Sequence, residues 1–196
     1  MPLDIPTGGG IGTGFIRFKP MENAWYRSSM DGDMEEFTWD SSVMIDIEKV
    51  ELGWLWLAQG VREWIPWPEN KQVEKPTDGE FKPAVSLKFY SKKLFGEEDA
   101  VRELCTSTVG VVKFVQALYA DTEVQFTKHK GKKVPVVTIS GSKSEKIGKG
   151  QTRIPQYTVE KFADRPDALK DDQDSSTPHV GTVEPQTSTV PDDEEF

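Results

Sequence analysis

The side chains able to do chemistry in this chain are ammonium groups, aromatic rings and carboxylates, and they are gathered in blocks. Lys128, Lys130, Lys132 and Lys133 fall within six residues around Gly131, and from 128 to 153 eight bases stand against one acid, Glu145. Ammonium groups at that density neutralise phosphates and release their counterions. A charge run is more often a plain solvated face, so the lysines need a second signal beside them. Residues 85–92 supply one: Lys88, Tyr90 and Lys92 share a parity, with Val85, Leu87 and Phe89 on the other. A strand with that alternation buries the aliphatic set and presents a ring between two lysines. Such a face is either ordinary solvated surface or a platform that stacks bases and holds a phosphodiester backbone without reading sequence.

Groups suited to catalysis do not assemble in the same way. His129 is embedded among lysines and His179 lies in a polar stretch, so neither has a nucleophile or metal-ligand partner nearby in sequence. Cys105 is the only cysteine, which excludes an intrachain disulfide, and its apolar setting reads as a small core residue. Asp31-Gly32-Asp33 begins like a calcium loop, but Met34 stands where another oxygen ligand belongs. Gly8, Gly9, Gly10 and Gly12 precede a strand-like run, whereas a phosphate loop follows a strand and opens a helix. No cofactor and no metal are expected, and a carboxylate-based, metal-dependent nuclease is kept as a minor alternative.

Composition separates a body from an end. The chain has 196 residues, 36% of them hydrophobic, and a net charge of −9. From 164 to 196 ten acids face only Arg165 and Lys170, so this stretch carries most of the excess and leaves the body close to neutral. An acidic chain of this kind still admits a polyanion partner for its body. Asp192, Asp193, Glu194 and Glu195 run into Phe196, whose α-carboxylate adds to them. No packed core uses adjacent like charges with a single apolar side chain, so 164–196 is expected to be a disordered tail. The segment Asp192–Phe196 resembles the acidic, Phe-terminated tails of bacterial and bacteriophage single-stranded DNA-binding proteins. That resemblance implies an OB-fold body that binds single-stranded DNA during replication, recombination and repair. It also implies a tail that recruits partners such as polymerase, helicase or primase, and recombinase, and that competes with DNA for the cleft. The proline usual next to the terminal phenylalanine of bacterial tails is absent, which points to a phage version.

The elements that must position these groups read as mainly β. Residues 1–12 form a flexible arm, and 13–163 a single domain that opens with a strand at 13–19. Residues 20–35 read as irregular. Strands are expected at 43–50, 53–67 and 85–92, with an apolar phase slip near 49–53 that marks a bend. Apolar positions at three- and four-residue steps predict a helix over 97–120, weakened midway by Gly110. Two short strands, 123–128 and 134–140, would make a hairpin with the lysines at its tip, and 152–162 a last strand at an edge because of Pro155. A helix between the third and fourth of five strands is the layout of an OB-fold Greek-key barrel, here with extra terminal strands.

On that barrel the expected DNA contacts are Lys88, Tyr90, Lys92, Lys128, Lys130, Lys132, Lys133, Lys143, Arg153, Tyr157 and, from the tryptophan cluster, Trp54. Asp192, Asp193, Glu194, Glu195 and Phe196 are the expected partner-binding tail. No apolar run approaches the ~20 residues of a membrane span, and no signal peptide opens the chain. The cytoplasm of a bacterium, or of a phage-infected bacterium, is the expected setting. A homodimer is left open, and a non-enzymatic adaptor of a virion is the main alternative function.

Overall fold

The structure, a computed structural model, describes residues 14–28, 33–58, 61–148 and 150–170. The arm at 1–12 and the tail residues Asp192, Asp193, Glu194, Glu195 and Phe196 lie outside the described residues.

Strands dominate. β1 (Gly14–Lys19), β2 (Ala24–Ser28) and β3 (Met34–Phe37) form an antiparallel meander. β4 (Val43–Ile45) leads through a 3-10 turn, Ile47–Lys49, into β5 (Glu51–Ala58), and β6 (Val61–Pro66) folds back on β5. β7 (Lys82–Tyr90) is followed by the short α1 (Lys92–Phe95) and by β8 (Val101–Thr106). A long helix, α2 (Val109–His129), precedes a hairpin of β9 (Lys133–Ile147) and β10 (Gly150–Asp164). The sheet runs β10-β9-β4-β7-β8-β1-β2-β3, with β5 lying along the same edge of β7 as β4, and β6 beyond it. Only the β1–β8 pair is parallel among these. The sheet curls into a half-barrel. The Ser142 hydroxyl donates to the Asn23 side chain, which ties β9 to the turn after β1 across the curl.

One face of the curl is the core. Ile16, Phe18 and Trp25 meet Val43, Ile45, Leu87, Phe89, Leu104, Val137 and Ile139 there. α2 seals it with Val111, Phe114, Val115, Leu118 and Thr122, a stripe at helical spacing. Burial of that stripe, more than propensity, holds a 21-residue helix that contains Gly110 and several β-branched residues. Gly110 sits in the first turn of α2, where an added Cβ would lie 2.1 Å from the Arg153 carbonyl oxygen. Its role is close approach to β10, in place of the midway bend expected from the sequence.

Several expected boundaries move. The first part of the helix expected at 97–120 is strand β8, because its backbone pairs with β7 along 101–106. The strand expected at 123–128 is the end of α2, and the hairpin partners are β9 and β10, joined beyond Ile147 instead of at the lysines. The stretch 20–35, expected to be irregular, contains β2 and the start of β3. Ten strands among the described residues, with β8 between β7 and the helix, replace the simple five-strand count. The body also continues past 163: Asp164 pairs with Lys133, and Arg165 and Leu169 are buried. Pro155 does lie on the edge strand β10.

Candidate nucleic-acid interface

Alternation along β7 sends Val85, Leu87 and Phe89 into the core and leaves Lys88 exposed and Tyr90 half-buried on the opposite face. Strand register then decides their neighbours. Lys88 lies opposite Glu103, and Ser86 opposite both Cys105 and Glu51. Phe15 follows in the same row, opposite Glu103 on its other side. On β6, Trp64 lies opposite Leu55, and Arg62 opposite Leu57. The Arg62 guanidinium sits 5.7 Å from the Phe15 ring and 3.3 Å from a Glu103 carboxylate oxygen. Phe15, Arg62 and Trp64 thus extend the ring-and-cation surface begun by Lys88 and Tyr90.

A groove of about 440 Å³ opens on this face. Trp64, Ser86, Lys88 and Glu103 line it from the strands, with Asp46, Lys49 and Glu51 from the bend between β4 and β5. Ser86 donates to Glu103 Oε1 at 3.0 Å, on the same oxygen that Arg62 approaches. Cys105, in the adjoining row, has its thiol pKa pushed up by burial and then by the Glu103 charge.

The lysine-rich segment is a turn between α2 and β9. Lys128 is in the last turn of α2, and Lys130 caps it in the left-handed region at φ 47°, its N–H donating to Phe126 O. Lys132 follows Gly131, and Lys133 opens β9 opposite Asp164. His129 stacks near Phe162 in this turn. Lys130, Lys132, Lys170 and Lys49 surround a second hollow of about 640 Å³, with Asp164 and Arg165 at its wall.

Arg165 builds that wall. Its Nε donates to Gly131 O at 2.6 Å, Nη1 to Asp46 at 2.5 Å and Nη2 to Glu48 at 3.2 Å. Its backbone N–H donates to Lys132 O at 2.8 Å. The side chains of Arg165 and Asp46 are only 5% and 3% exposed. One guanidinium fork therefore clamps the lysine turn to the β4–β5 bend. That bend carries Lys49, which lines both the hollow and the groove beside Lys88.

The other expected contacts fall elsewhere. Lys92 is in α1 and pairs with Glu97 at 2.8 Å, which raises its pKa. Lys143 and Arg153 are near each other across the hairpin, since Lys143 faces Ile154 and Arg153 faces Ser144. They stand roughly 30 Å along β9 from Lys133, at about 3.3 Å per residue. Tyr157 turns to the core side, its hydroxyl donating to Asp121 at 2.6 Å and its ring edge-on to Phe114. Trp54 is 5% exposed, edge-on to Trp67, with its N–H given to Val73 O. Trp54 therefore offers no face to a base, and Tyr157 is half-buried against α2, because β5 and β10 turn those parities toward the 67–81 segment and the helix.

Lys49, Glu51 and Glu103 in the groove, and Arg62 against Glu103 beside it, are residues that sequence reading passed over. The even-odd run Val101, Glu103, Cys105 was the available signal, and buried Arg102 on the opposite parity hid it. Among the described residues no helix is long and apolar enough to cross a membrane, and no group of three or more His, Cys, Asp or Glu could hold a metal ion. Comparison with known proteins finds no matching family model, no matching curated protein and no matching solved structure.

Proposed function

We propose that the protein binds and protects single-stranded DNA without requiring a defined sequence, on an OB-like barrel elaborated by β1–β3 and β8. The observation that carries the reading is Lys49, shared between the groove of Lys88 and Trp64 and the hollow of Lys130 and Lys132. A strand of nucleic acid laid along that line meets rings on which to stack and ammonium groups for its phosphates. Arg62 and Phe15 extend the same surface toward β1. Replication, recombination and repair, in a phage-infected bacterial cytoplasm, are the processes in which such a binder works. Asp192–Phe196 would then compete for the cleft when DNA is absent and recruit polymerase, helicase or primase, or recombinase when DNA fills it.

Titration with an oligo-dT, following tryptophan fluorescence at two salt concentrations, tests this directly. Quenching is expected because Trp64 lines the groove, and affinity should fall steeply as salt rises. Lys130→Ala with Lys132→Ala should lower the log–log salt slope by about 2, near 1 per phosphate contact. Absence of salt-sensitive binding to the oligonucleotide overturns the proposal.

A further inference from the structure

The groove is not uniformly basic, and that bears on which bases it takes. Asp46, Glu51 and Glu103 line it together with Lys49 and Lys88. The Asp46 carboxylate is buried against Arg165, so a phosphate entering this space would face the two carboxylates of Glu51 and Glu103, whereas the hollow beyond Lys49 sets Lys130, Lys132 and Lys170 against Asp164. Phosphates therefore favour the hollow, and the uncharged part of a nucleotide, its base, favours the groove beside Trp64. Glu103 is the best-placed carboxylate. Ser86 and Arg62 both engage its Oε1, which fixes the side chain in the groove. A carboxylate offers about four acceptor sites on its two oxygens, so Oε2 can still receive a donor from a ligand.

We propose that Glu103 accepts a hydrogen bond from the exocyclic amino group of a base stacked at Trp64, giving the protein a preference for amino-bearing bases over thymine. This rests on the single-stranded DNA reading and adds selectivity by base composition to it. Cytosine presents its N4 amino group as a donor, and acidic side chains accept from that group. Thymine places the O4 acceptor in the corresponding position, and its N3–H is flanked by two carbonyl oxygens that repel a carboxylate. Glu51, exposed at the groove edge opposite Ser86, adds to the same field with less fixed geometry.

The test compares short oligo-dC and oligo-dT of equal length with the full chain near pH 8, where cytosine is unprotonated. Oligo-dC is expected to bind about tenfold more tightly, the worth of one well-placed polar contact. Glu103→Gln, which keeps the shape and the acceptor oxygen but adds a donor that suits thymine O4, should bring the two affinities within about twofold. Most of that change should appear as stronger oligo-dT binding. Glu51→Gln, an exposed site with no fold risk, should leave the ratio nearer its original value while strengthening both ligands. Equal binding of the two oligonucleotides by the unaltered protein overturns the selectivity and leaves the DNA reading standing. An unchanged dC:dT ratio in Glu103→Gln assigns the preference away from Glu103 and overturns the proposal. No binding of either oligonucleotide overturns the selectivity and the DNA reading together.

Discussion

Replacing Arg165 by leucine would strip the guanidinium from Asp46, Glu48 and Gly131 at once. Its buried partner Asp46 would then keep a charge without its main counter-charge, and breaking such a pair costs about 3–5 kcal/mol. Urea unfolding should show that loss, and the oligo-dT salt slope should flatten because the lysine turn is no longer clamped to Lys49. Tyr157 gives a pH-dependent counterpart. Burial and then the hydrogen bond to Asp121 push its hydroxyl pKa well above the ordinary tyrosine value. The folded state therefore favours the neutral phenol. The stability this provides is intact below the unfolded pKa of about 10 and is lost as pH rises beyond it. Tyr157→Phe should lower stability at neutral pH yet show a shallower decline between about pH 10 and 11, where the unfolded phenol of the parent ionises. Thermal midpoints measured across that range for both proteins check the sign.

At the scale of elements, Gly110 distinguishes the two readings of α2. As a weak point in a helix, it should be improved by alanine, by about 1 kcal/mol of propensity. As a contact point against β10, it cannot accept a methyl group 2.1 Å from the Arg153 carbonyl oxygen. Overpacking against backbone costs about 1–3 kcal/mol, so Gly110→Ala should destabilise the fold. A raised thermal midpoint in that variant would contradict the packing of α2 on β10. The elements themselves were unequally legible. β7 was plain because its aliphatic and polar sets alternate without exception from Val85 to Tyr90. β8 was not, because Val101, Leu104 and Cys105 also satisfy helical spacing and Arg102 is buried where an aliphatic residue is expected. The end of α2 was misread for the same reason in reverse, since Val124 and Phe126 alternate like a strand although Val124 is exposed.

For the molecule as a whole, charge distribution gives the sharpest prediction. Truncation after Lys170 removes eight acids and no base, and it spares the buried Arg165 and Leu169. Binding of oligo-dT should tighten, most clearly at low salt, where charges at a distance are least screened. Titrations of the full and shortened chains at two ionic strengths measure it, and equal affinities would remove tail competition from the proposal. A cut at 163 would instead take the Arg165 clamp with it and confound the result. Residue types and their local order were enough to reveal a mainly β chain, a Lys88–Tyr90 face and a dense lysine segment, because alternation and charge clustering are properties of neighbours along the backbone. Which lysines share a surface with that face was settled by strand register, by the bend at 47–49 and by the Arg165 fork. So were the retreat of Trp54 into the core and the packing of Tyr157 against it. Those outcomes depend on contacts between residues up to 119 positions apart, such as Arg165 with Asp46. Local pattern carries no information about pairings at that separation, since burying one parity leaves open what lies across it.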